Sequence, residues 1–139
     1  MEKPNIGKRN EFSVWARLLE YGIDVYPSLV DDKKIDGLIG LNGHYFEVQI
    51  KSGKEWNRPR GFSYEICKKN PNRIFIIYNY TKKAHIFLTG EDILKEKEWK
   101  ETTRWDLPQL KWNKKILEKY SSHDFDGLIR FLKSKVRNG

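Results

Sequence analysis

Ile35-Asp-Gly-Leu-Ile-Gly-Leu-Asn-Gly-His-Tyr-Phe-Glu-Val-Gln-Ile-Lys51 reads as two alternating strands joined at Asn42-Gly43. Asn-Gly between such runs marks a tight hairpin, because both turn positions need positive φ. With those two residues in the turn, Leu41 pairs with His44, Ile39 with Phe46, Gly37 with Val48 and Ile35 with Ile50. Asp36 then falls across from Gln49. Side chains repeat every two residues along a strand, so Glu47 and Lys51 stand on the same face as that pair. One face is apolar. The other gathers an acid, an amide, a second acid and a lysine.

Any one of these polar residues is ordinary on a half-exposed strand. Together they match the needs of phosphodiester hydrolysis, with oxygen ligands for a divalent metal and a cation near the attacking water or the phosphate.

Outward from the hairpin, the chain reads as one domain. Its 139 residues suffice for a sizeable core. A formal net charge of +8 points to a polyanionic partner. The single Cys67 excludes an intrachain disulfide and a Cys-rich zinc site, and argues for a reducing compartment. The longest apolar run, Ile74 to Tyr78, is far too short to cross a membrane. The polar stretch from Glu2 to Asn10 holds no signal-peptide core. The expectation is a soluble cytoplasmic protein.

Before the hairpin, Phe12, Trp15, Ala16, Leu18 and Leu19 share one face of a helix over 8–21, which Gly22 ends. A strand over 23–30 follows, with Pro27 marking an edge or a break. After the hairpin come a basic and aromatic loop over 53–61, a short helix over 62–69 and a buried strand over 73–80. Another strand over 84–88 leads to a helical piece over 91–97, entered through Thr89. The first three strands form a meander. The 62–69 crossover returns the fourth in parallel, by a right-handed connection. In the last third, Trp99, Trp105 and Trp112 punctuate polar sequence and read as packing anchors. A helix over 122–136 carries Phe125, Leu128, Ile129, Leu132 and Val136 on one face, with a capping-box-like start at Ser121 and Asp124.

Asp36, the hairpin, and Glu47-Val-Gln-Ile-Lys51-Ser-Gly resemble the core motif of the PD-(D/E)xK nuclease superfamily, which includes restriction endonucleases, Holliday-junction resolvases and Mrr-like enzymes. The preceding helix with Glu11 and the following strand, helix, strand order resemble it too. The resemblance implies an α/β fold: a restriction-endonuclease-like αβββαβ core over about 7–90, with a central mixed sheet flanked by helices. A helical, Trp-rich C-terminal extension over about 91–139 completes a single domain. It further implies a divalent-metal-dependent DNA nuclease using Mg²⁺ or Mn²⁺. Asp36 would bind metal. The second acid normally lies two residues before the lysine, and here that position is Gln49, as in the Gln-x-Lys variant of Mrr-like members. An amide oxygen is a competent hard ligand that brings no charge; Glu47 on the same face could restore it. Lys51 would serve the attacking water and the developing phosphorane charge. Glu11 corresponds to the helix glutamate that often completes the metal shell in this superfamily, and the backbone carbonyl of Ile50 to its usual extra ligand.

Two of these residues have simpler readings that stay open. An acid early in a helix is favoured by the dipole alone, which accounts for Glu11. Glu47 can pair with a neighbouring Lys or Arg. Lys54, Trp56, Arg58 and Arg60 follow the site directly and suit phosphate and base contacts, as do Lys8, Arg9, Lys33 and Lys34 near its other approaches. Lys111, Lys114 and Lys115 form a second basic group. His44, His85 and His123 are too scattered for a zinc site, and no phosphate-binding Gly-rich loop or serine nucleophile elbow is present. Two other functions remain compatible with the sequence. One is a non-catalytic nucleic-acid-binding domain of the same fold. The other is an assembly subunit whose Trp-rich third forms an oligomer interface. A homodimer or larger homo-oligomer also suits a nuclease.

Overall fold

The computed structural model describes residues 6–28, 35–53, 64–96, 99–101, 108–110 and 114–138. Five strands form one mixed sheet: β1 (Asp24–Pro27), β2 (Gly37–Leu41), β3 (His44–Gly53), β4 (Ile74–Asn79) and β5 (Ala84–Thr89), side by side in chain order. Neighbours run antiparallel except β3 and β4, which are parallel. Helix α1 (Ile6–Glu20) precedes the sheet, and α2 (Tyr64–Lys69) makes the crossover between its parallel strands. The sheet is therefore the meander plus crossover that the sequence predicts.

The hairpin forms because Asn42 and Gly43 both take positive φ, 51° and 82°. Leu41 pairs with His44, Ile39 with Phe46 and Gly37 with Val48, with no slip. Beyond Gly37 the expected ladder does not continue. The Asp36 N–H also donates to the Val48 carbonyl, at 2.9 Å. Two residues of one strand thus oppose one of the other, which is a β-bulge. The expected Ile35–Ile50 pair does not form, and Asp36 is displaced from its place directly across from Gln49.

The chain β4 alternates between two cores. Ile74, Ile76 and Tyr78 join Val14, Trp15 and Leu18 of α1, with Ile39 and Val48, on one face. Phe75 and Ile77 join Cys67 of α2 on the other. Here they meet Ile93 of α3 (Gly90–Leu94), Ile116 of α4 (Lys114–Lys119) and Tyr120 just beyond it. All six β4 residues are buried. That explains an uninterrupted apolar strand, since both its faces are covered. Thr89 caps α3 in a full capping box with Asp92, as the sequence indicates.

Several boundaries differ from expectation. β1 spans only Asp24–Pro27; Pro27 lies on the edge strand, where its missing N–H faces away from β2, and Ser28 still donates to the Asp36 carbonyl at 2.8 Å. The C-terminal helix α5 spans Phe125–Asn138. Its N-cap is Asp124, whose Oδ1 accepts the Gly127 N–H at 2.8 Å; Ser121 does not start it. The last third is not purely helical either. β6 (Trp99–Glu101) and β7 (Pro108–Leu110) pair in a separate two-stranded ribbon. Nor is α5 an appendage: Phe125, Leu128 and Leu132 lie in the same core as α1. Trp105 and Trp112 lie outside the described residues, as does the side chain of Trp99. No described helix is long and apolar enough to cross a membrane.

Candidate metal centre at the hairpin bulge

Asp36 is pinned from three directions. Its N–H bonds Val48, its carbonyl accepts the Ser28 N–H at 2.8 Å, and its Oδ2 accepts the Ile50 N–H at 2.6 Å. The side chain thus replaces the backbone acceptor that a regular β2 would have offered. Within an extended strand a residue's N–H and C=O point to the same edge. The Ile50 carbonyl therefore faces the side on which the Asp36 carboxylate lies.

Gln49 and Lys51 sit opposite Phe75 and Ile77 in the parallel register, and Phe75 and Ile77 point into the α2 side of the sheet. Gln49 and Lys51 share that face. Gln49 is only 2% exposed, and its Oε1 is buried with no hydrogen-bond partner. A neutral carbonyl oxygen left so costs roughly 1–3 kcal/mol. Lys51 is half-buried. Among the described residues its Nζ pairs with no carboxylate.

Glu47 occupies the same face one step earlier, but its carboxylate is held by Arg73. The guanidinium reaches Oε2 with Nη2 at 3.1 Å and Nε at 3.4 Å. Arg73 is almost fully buried, so Glu47, itself 42% exposed, neutralises a charge that water reaches poorly. The sequence reading left this pairing open without naming the partner. Nothing local announces it, since Arg73 lies 26 residues away, just before β4.

Glu11 belongs to the opposite face of the sheet. Its Oε1 accepts from Trp15 Nε1 at 3.4 Å and lies 3.6 Å from Lys8 Nζ. A tight turn at Tyr21-Gly22 joins α1 to β1, whose Asp24 pairs with Gly40. The Trp15 ring reaches Gly37, where an added Cβ would stand 2.9 Å from its Cη2. Going toward its N-terminus, α1 therefore advances from the Gly40 level past Gly37 toward the bulge. Among the described residues, no three His, Cys, Asp or Glu side chains converge to hold an ion. Any ion here would depend on the Gln49 amide and on backbone oxygen.

The basic candidates divide. Arg9 is exposed on α1. Lys33, Lys34, Lys54, Trp56, Arg58 and Arg60 lie outside the described residues, as do Lys111 and the side chain of Lys114. Sequence reasoning missed Asn10, one residue before Glu11. It is 6% exposed, and its buried Nδ2 has no partner. The signal was present: Asn10 stands four residues before Val14 and eight before Leu18, on the stripe that faces the sheet.

No protein-family model matches the sequence, and no curated protein matches it. Among solved structures, the fold is similar to that of a bacterial homing endonuclease, I-Ssp6803I, with a TM-score of 0.63 and 12% identity over 100% of both chains. At that identity the similarity concerns the fold.

Proposed function

We propose that this protein is a divalent-metal-dependent DNA endonuclease of the PD-(D/E)xK type, hydrolysing phosphodiester bonds at the hairpin bulge. The carrying observation is the buried, unpartnered Gln49 Oε1 on the same sheet face as Lys51, beside a strand end held by Asp36. A carbonyl oxygen without a donor suits a hard cation better than it suits a resting core. The donor types suit Mg²⁺ or Mn²⁺: Asp36, the Gln49 amide oxygen and the Ile50 carbonyl would hold the ion, and Glu11 of α1 would complete its shell only by turning from its contacts with Trp15 and Lys8. The ion would supply charge neutralisation at the scissile phosphate and acidify the attacking water. Lys51 would orient that water and stabilise the negative charge that gathers on phosphorus oxygens. Glu47 would act mainly by balancing Arg73. The fold shared with a homing endonuclease supports the reading, and the net charge of +8 favours DNA over a neutral substrate. Cutting both strands of a duplex requires two such sites, so a homodimer or larger assembly is expected.

The test is hydrolysis of duplex, single-stranded and branched DNA in Mg²⁺ or Mn²⁺. Lys51→Ala and Asp36→Asn are expected to lower the rate at least about a hundredfold each, with folding intact. Unchanged cleavage in both rules the site out. A second reading is a DNA-binding domain of this fold that does not cut. Engagement of Glu47 by Arg73, in a site with an amide at the second acid position, favours it. It predicts DNA binding that falls with salt, is indifferent to EDTA, and is never followed by nicking.

A further inference from the structure

Two buried side-chain atoms among the described residues have no hydrogen-bond partner: Gln49 Oε1 and Asn10 Nδ2. One is an acceptor and the other a donor. They come from different faces of the sheet. Asn10 sits on the sheet-facing stripe of α1, at the end that advances past Gly37, so both lie toward the bulge. Leucine or valine would be the ordinary choice at this position, as at Val14 and Leu18. An amide buried there lowers stability unless an oxygen arrives to accept its proton.

We propose that Asn10 is a further residue of the same centre, one whose amide donates to an oxygen brought in by the ligand. This rests on the nuclease reading and extends it to a residue that bears no charge. The unpartnered atom is an N–H donor, which suits an oxygen and not a cation, so the role proposed for Asn10 is to meet the oxygen, and the metal is left to Gln49. Its partner is either a phosphate oxygen of bound DNA or a water in the hydration shell of the cation that Gln49 faces. Both are oxygens with lone pairs to offer, and both belong to the ligand rather than to the chain. The donor and acceptor divide the work: the Gln49 carbonyl meets positive charge, and the Asn10 amide meets the oxygen that accompanies it. Asn10 positions that oxygen and takes no part in bond making.

The experiment uses the full chain, wild type against Asn10→Leu. Asn10→Ala is carried alongside in case leucine does not fit beneath α1. Each protein is first melted in EDTA. Removing an unsatisfied buried amide is expected to raise the Asn10→Leu midpoint, by about 3 °C. Ligand response is then read at a temperature where every protein is folded. One arm titrates Mn²⁺ alone and follows the rise in melting temperature. The other follows DNA binding by fluorescence anisotropy in EDTA. A Mn²⁺-induced rise at least halved by both variants identifies the hydration water as partner. DNA affinity weakened about tenfold or more, with the Mn²⁺ response intact, identifies the phosphate. Both ligand responses equal to wild type in either folded variant overturn the inference, whatever the melting temperature does. A wild type that answers neither Mn²⁺ nor DNA overturns the nuclease reading, and the inference with it.

Discussion

The two halves of the sheet are built differently. In the β4–β5 half, both faces are covered: α1 and α5 on one side, α2, α3 and α4 on the other. In the β1–β2 half, one face meets α1 and α5, while the other leaves Tyr26, Leu38 and Tyr45 exposed. Tyr26 and Tyr45 meet edge to face there, with ring centres 5.4 Å apart. β3 belongs to both halves. Its polar residues Glu47, Gln49 and Lys51 line the seam where helical cover begins. Chemistry sits well at such a seam. On the proposed function, the covered side would supply a dry floor and the open side would admit a large substrate.

Four measurements break or sharpen this contrast. Phe75→Ala, in the covered half, is expected to cost about 3–5 kcal/mol, because its neighbours on β4 and α2 are too well packed to close the hole. Chemical denaturation reads this directly. A midpoint within error of wild type would mean that the α2 side is not a true core.

Acid comes next. His85 is sandwiched between Tyr78 and Phe125, at ring distances of 4.5 and 4.3 Å. Burial, and then the charge of Arg17, push its pKa down to about 4. The unfolded imidazole takes a proton near pH 6.5, which the folded one refuses until about pH 4. Stability attributable to His85 is therefore present above pH 6.5, falls between pH 6.5 and 4, and is flat below. The whole loss is at most about 3 kcal/mol. His85→Phe, which keeps a ring in the stack, is expected to flatten that limb in pH-dependent melts.

Third is Glu47→Ala at the seam. It strips the partner from a nearly buried guanidinium, and a loss of about 2 kcal/mol is expected. Arg73→Met in the same background is expected to recover most of it, as a double-mutant cycle would show. Smallest is Leu38→Ser on the open half, expected within about 0.5 kcal/mol of wild type. A loss above 2 kcal/mol would mean that this face is covered in solution.

The same contrast explains what the sequence disclosed. The covered half announces itself through composition, because Ile74 to Tyr78 is apolar without a break. The open half announces itself through alternation, and Asn42-Gly43 locked its register. Both signals are local. The bulge at Asp36 is not, because it depends on what Val48 and Ile50 require across the ladder. Pairing of Glu47 with Arg73, the Lys119 Nζ and Tyr120 hydroxyl bonds to Glu96 Oε1, and the β6–β7 ribbon likewise depend on segments far apart in the chain. The candidate centre could thus be proposed from the sequence as a set of residues. Its geometry was not legible, and neither was the burial of the Asn10 amide, which looked like one more polar residue near a helix start.

The shared core of α1 and α5 has a consequence for how the protein is made. Val14 emerges from the ribosome long before Leu132, and the two belong to one packed cluster. At ordinary elongation speeds the interval is on the order of 10 s. In the last part of it, after β5 (Ala84–Thr89) has emerged and before α5 follows, the α1 side of the sheet would lack one wall and leave its apolar residues uncovered. Productive folding therefore waits on the ribosome, and slow codons ahead of α5 would prolong the vulnerable period.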